Sequence, residues 1–177
     1  PLAYWLNIWV DEASTLYTTQ NGFLHAFQHA WADEKQAPLY FWIMSLWRMM
    51  GDSFFFARFF SIICTTGGIF LVWNFARCYL SARSAAIMAI LFGLHPIVIW
   101  AALEARGYAL GFVLAILLLH LNEALIAQGE NARMKPRIAF ISVGIIALYT
   151  NYYLGFVLAG AHGLVERGEA SGQVDAA

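Results

Sequence analysis

Two adjacent carboxylates, Asp11 and Glu12, close an apolar opening stretch and stand ahead of a chain otherwise short of charge. Charge beside hydrocarbon is costly, so such a pair is a candidate for chemistry. One of them could act as a general base, with its neighbour tuning it. The alternative is the solvated acidic first turn of a helix, which the helix dipole favours. Glu104-Ala105-Arg106-Gly107-Tyr108 interrupts two further apolar runs in the same way. Arg106 could grip a phosphate through two parallel N–H groups, with Glu104 orienting it or touching substrate. The bland reading is a loop that ends one helix and starts the next. In Asp33-Glu34-Lys35-Gln36, Lys35 is another phosphate candidate, or part of a solvated loop before a helix opened by Pro38.

Holding these groups together requires a scaffold, and composition says which kind. Only 12% of residues are charged and 61% are hydrophobic, against roughly 25% charged in soluble domains. The chain therefore reads as an integral, multi-pass membrane protein whose partner is the lipid bilayer. A net charge of −1 gives no basic field for nucleic acid. Cys64 and Cys78 lack metal or redox spacing and read as packing residues. His25 and His29 share a helix face, but no third metal ligand stands out, so an amphipathic helix accounts for them better.

Uncharged runs mark the spans. Residues 1–10 read as the end of a truncated first membrane helix, and 166–177 as a truncated cytoplasmic loop. Segment 54–165 reads as a transmembrane bundle with helices at about 54–80, 84–103, 107–127, 137–150 and 152–165. The last two come from one uncharged stretch, Ile138–Val165, which as a single helix would be about 42 Å long, too long for a ~30 Å core without strong tilt. Its most polar part, Tyr149-Thr150-Asn151-Tyr152-Tyr153, is the natural turn. Pro38–Met50 is short for a span and carries Trp42, Trp47 and Arg48, which suits a helix lying in the interface. If it lies flat, Asp11-Glu12, Glu104–Arg106 and Tyr149–Tyr153 all reach one face, and 11–53 is an outer, periplasmic loop carrying interfacial helices. The excess of Arg and Lys on the other face then follows the positive-inside rule. The fold class is all-α, a polytopic transmembrane helix bundle.

Taken in order, several motifs resemble the GT-C superfamily of membrane glycosyltransferases. The closest likeness is to the bacterial polyprenyl-phosphate-sugar-dependent group, related to protein O-mannosyltransferases and the aminoarabinose transferase of lipid A. The motifs are Trp9-Val10-Asp11-Glu12-Ala13, Ala37-Pro38-Leu39-Tyr40, Gly51-Asp52-Ser53, Ala57-Arg58, His95-Pro96, Glu104-Ala105-Arg106-Gly107-Tyr108 and Tyr149-Thr150-Asn151-Tyr152-Tyr153. The resemblance implies transfer of a hexose or pentose from a lipid-linked sugar phosphate to a hydroxyl on a glycan, lipid or protein, with inversion at the anomeric carbon. It implies an active site facing the periplasm or exterior of the inner membrane. It makes Asp11 the general base, with Glu12 as its catalytic neighbour. It puts Arg106, Glu104, Lys35 and Tyr108 in the donor and phosphate region, and Tyr40, Tyr149, Asn151 and Tyr152 among the lining residues. The family often has His at the positions of Gln36 and Asn151. A divalent metal thus stays open as a cofactor, and no metal ligand is assigned. The rival classes are a secondary transporter, which His95-Pro96 near mid-span would suit, and a non-catalytic membrane assembly subunit.

Overall fold

The computed structural model describes residues 9–32, 34–128, 134–160 and 163. Most of the stretch read from the sequence as the end of a first helix (1–8), Asp33, His162 and the tail over 166–177 lie outside the described residues. Among the described residues every regular element is helical: α1 Val10–Thr19, α2 Gly22–Ala32, α3 Leu39–Arg48, α4 Phe54–Ala76, α5 Ala82–Gly93, α6 Pro96–Leu103, α7 Tyr108–Gln128 and α8 Met134–Thr150. Helical residues 154–160 follow a two-residue turn after Asn151. The protein is an all-α helical membrane bundle.

Local chemistry explains the boundaries. Ser53 and Ser81 cap α4 and α5 by accepting from the backbone N–H of Phe56 and Ser84. Pro96 opens α6, and the His95 ring Nδ1 accepts from Ile97 N at 3.3 Å. The residue before a proline is pushed out of helical geometry, so the 84–103 run folds as α5 and α6, bent by 59° at the break. α4 and α7 are each long and apolar enough to cross a membrane, and α5 with α6 adds a third crossing if the bent pair is one span. α3 has 10 residues, about 15 Å of helix and half of a hydrocarbon core.

α4 is the central rod. It packs against α5, α6 and α7, while α7 packs on α8 and α8 reaches α3. One apolar core joins Leu114 and Leu118 of α7 to Ala147 of α8 and Leu154. A second gathers Ala26, Ala30, Tyr40, Phe41, Met44, Ala57 and Ala105 where α2 and α3 meet α4 and the α6–α7 loop. Trp47 fastens α3 to α4: its ring stacks on Phe56 and its Nε1–H donates to the Phe56 carbonyl at 2.8 Å. Gly107 lies against Tyr40, where an added Cβ would stand 3.3 Å from the ring. The absence of a side chain lets the α6–α7 loop seat closely on α3.

An ion pair docks α1. Glu12 is 0% exposed and Arg58, in the second turn of α4, is 1% exposed. Arg58 Nε and Nη2 donate to the two Glu12 oxygens at 2.9 and 2.6 Å. Ala105 N–H adds a third donor at 2.8 Å. One carboxylate thus joins α1, α4 and the α6–α7 loop. Removing one partner of a buried pair strands the other charge, so Arg58→Met should destabilise the fold by about 3–5 kcal/mol. Equilibrium unfolding in mixed micelles should show most of that loss recovered when Glu12→Gln is added, because the buried charge is then gone.

Candidate functional site

The charged groups collect at one end of the bundle. Asp11 lies in the first turn of α1 and is exposed. Its carboxylate accepts no hydrogen bond among the described residues. It lines a cavity of about 280 Å³ with Trp9, Val10, Trp100 and Glu104. Glu104 ends α6 in an extended conformation, and Ser61 of α4 donates to its carbonyl at 2.6 Å. Burial, then the negative charge of Glu12, pushes the Glu104 carboxyl above the usual glutamate range. Two carboxyl groups of different character therefore share one cavity: Asp11 open to solvent, and Glu104 buried and reluctant to ionise.

Arg106 stands behind this cavity. Its Nη1 donates to the Asp11 backbone carbonyl at 3.1 Å, to Thr15 Oγ1 at 3.3 Å and to Glu34 Oε2 at 3.3 Å. Its guanidinium carbon lies 5.9 Å from the Tyr108 ring centre. Tyr108 in turn lines a second cavity of about 400 Å³, with Lys35, Gln36, Thr150, Asn151 and Tyr152. Lys35 and Tyr152, with Trp31, also border a third cavity of about 430 Å³. Tyr149 and Tyr152 line a large apolar groove of about 1150 Å³ with Phe27, Trp31, Pro38 and Leu148. Tyr152 is thus common to three cavities that pass from apolar to polar surroundings.

Tyr40 is 2% exposed and lines none of these cavities. Its hydroxyl makes no hydrogen bond among the described residues. Burial raises its pKa well above the ordinary tyrosine value, opposed by the nearby charge of Arg106. Gln36 and Asn151 share the second cavity. Two amides and several phenols beside an ammonium do not fit a divalent cation. Among the described residues no cluster of three or more His, Cys, Asp or Glu could hold a metal.

Two ionic partners escape a reading along the chain. Arg58 looks like the boundary of an apolar run, yet an Arg inside the first turns of a membrane helix calls for a buried acid. Glu34 looks like loop solvation, and its partner Arg106 is 72 residues away.

A family model described as dolichyl-phosphate-mannose-protein mannosyltransferase matches residues 35–165. No curated protein matches the chain, and no solved structure matches it.

The raised Glu104 carboxyl has a stability consequence of definite sign. A carboxyl whose folded pKa lies above its unfolded value binds more protons when folded, so its contribution falls as pH rises through that interval. Glu104→Gln removes this penalty. Thermal unfolding in detergent should therefore show the variant gaining stability relative to wild type as pH rises from the ordinary glutamate pKa through the raised folded one. A difference that stays flat across that interval would count against the burial of this group.

Proposed function

This chain belongs to the dolichyl-phosphate-mannose-protein mannosyltransferase family of GT-C membrane glycosyltransferases, and we propose that it moves a sugar from a polyprenyl-phosphate donor to an acceptor hydroxyl. The acceptor is a glycan, lipid or protein, and the reaction takes place at the outer face of the inner membrane. Asp11 is the general base, and Glu12 fixes the turn that carries it.

The observation that supports this reading best is the succession of cavities. An isoprenoid tail suits the apolar groove between α2 and α8, where Phe27, Trp31 and Leu148 offer only hydrocarbon and ring faces. The groove gives way at Tyr152 to a cavity bordered by the Lys35 ammonium and the amides of Gln36 and Asn151. A phosphate and the sugar attached to it need such surroundings. Past Tyr108 and Arg106 lies the cavity of Asp11 and Glu104. A lipid-linked sugar is apolar, then anionic, then polyhydroxylated, and these surroundings follow the same order.

The chemistry needs few groups. Asp11 takes the proton of the acceptor hydroxyl as its oxygen attacks the anomeric carbon. The bond from that carbon to the phosphate oxygen breaks, and polyprenyl phosphate leaves with the electron pair. Attack opposite the leaving group inverts the anomeric configuration. Positive charge in the donor region, supplied by Lys35, offsets negative charge growing on the phosphate. Glu104 and Tyr108 complete that region. The break at His95-Pro96, the feature that would suit a transporter, carries a helix cap in which His95 accepts from Ile97 N. Coupling ions have no need of such a cap.

The test is transfer by the full-length protein in proteoliposomes offered a panel of polyprenyl-phosphate hexoses and pentoses, mannose included. Product should form with one or few of them, and proton NMR should show the inverted anomer. Asp11→Asn should lower kcat by roughly 10²–10⁴-fold, with unfolding free energy within about 0.5 kcal/mol of wild type, as for an exposed position. Wild-type turnover in that variant would remove Asp11 from the chemistry.

A further inference from the structure

A guanidinium at a membrane edge suits a donor phosphate, the role that the resemblance implies for Arg106. Its surroundings in the fold point elsewhere. The residue is 7% exposed, and Nη1 is committed to three acceptors on two other elements: the Asp11 carbonyl and Thr15 hydroxyl of α1, and the Glu34 carboxylate of the α2–α3 loop. Glu34 is held from its other side by the Ser14 hydroxyl, also on α1. A phosphate bound at Nη1 would have to displace a carboxylate already paired with it in a largely buried place, at the cost of stranding that carboxylate, and Arg106 borders none of the cavities described above.

The same carboxylate belongs to the residue before Lys35. Lys35 is exposed and has φ of 51°, the left-handed region that a side chain with a Cβ rarely adopts. The residues on either side hold it there: Glu34 N–H donates to the His29 carbonyl and Gln36 N–H to the Ala30 carbonyl, both at 3.1 Å. The Glu34 side chain then ties this strained turn to α1 and Arg106. Strain of this kind persists only where the surroundings over-determine it.

We infer that Glu34 and Arg106 are positioning residues, a latch that sets the separation between the Asp11 base and the Lys35 cation. The inference rests on the proposed sugar transfer and deepens it. Arg106 grips the backbone of the residue that carries the base, and Glu34 grips Arg106 beside the residue that carries the cation. In this arrangement Lys35 meets the donor phosphate, and Arg106 acts through Asp11 and Glu34. Displacement of reacting groups by about 1 Å can lower a rate on the order of 10²-fold, so loss of the latch should appear in kcat.

Glu34→Gln separates the two roles for Arg106, because it releases the guanidinium while leaving Asp11 and Lys35 in the chain. With full-length protein and a donor that wild type uses, the latch predicts kcat lower by roughly 10–100-fold and donor KM within about threefold. A phosphate-binding Arg106, freed from its carboxylate, would instead lower donor KM and leave kcat near wild type, and that result overturns the inference. Glu34→Asp, which keeps the charge but shortens the reach, should give the same kcat loss with less effect on folding, so it serves if Glu34→Gln does not fold. Lys35→Gly suits the left-handed turn and should raise donor KM at least tenfold with unfolding temperature equal to wild type or higher. Unchanged donor KM in Lys35→Gly would also overturn the inference. Calorimetric titration with polyprenyl monophosphate gives a readout independent of turnover, expected to weaken in Lys35→Gly and to hold in Glu34→Gln. Failure of wild type to transfer any sugar would defeat the proposed function itself, an outcome distinct from transfer with the wrong pattern of KM and kcat.

Discussion

The arrangement depends on one requirement: a carboxylate with no exposure must have its charge answered. Glu12 is answered by the fork of Arg58 and by the backbone N–H of Ala105. Those partners lie on a membrane-crossing helix and on the loop between two others, so satisfying one side chain fixes three pieces of chain. The neighbour of a buried residue held by several hydrogen bonds has little freedom. Asp11, one position earlier on the same turn, is thereby held at the mouth of the cavity it shares with Glu104. A buried ion pair is a poor source of stability compared with apolar packing; here it supplies registration.

The same logic recurs a few ångströms away. Arg106 and Glu34 form a second ion pair, with side chains 9% and 6% exposed, and it joins the α6–α7 loop to the α2–α3 loop. The two pairs use α1 in common: Glu12 supplies one carboxylate, while Thr15, Ser14 and the Asp11 carbonyl brace the other pair. α1 is a short helix of 10 residues, with Val10 and Tyr17 exposed and little apolar burial of its own. Its place is set mainly by polar contacts to the ends of longer helices.

Electrostatics divides the carboxyl groups of this end by environment. Glu12 has cationic and amide partners. Glu104 is buried near another negative charge, and its carboxyl is pushed up. Asp11 is exposed, and its carboxylate accepts no hydrogen bond among the described residues. Different surroundings thus give the same functional group different tasks: one end of the bundle holds a buried, paired carboxylate, a buried carboxyl pushed up by desolvation and an exposed carboxylate side by side.

Much of this is legible along the chain, because some facts are local. Low charge and apolar runs near 20 residues demand membrane helices. The 13 residues from Pro38 to Met50 are short for a bilayer span. Pro96 breaks its run because it has no N–H to donate. Asp11, Glu104 and Arg106 announce themselves because charge next to hydrocarbon is rare. Which charge pairs with which is not local. The partners of Glu12 lie 46 and 93 residues away, and nothing in the spacing distinguishes Arg58 from any other Arg at the end of a span. Tyr40 reads as a lining residue from its motif and is packed into the core, since Gly107 lets the loop close over it. Residue types determined what chemistry the chain can hold. Only helix packing decided which carboxylate is buried and paired and which is left free, because burial and pairing depend on three-dimensional neighbours.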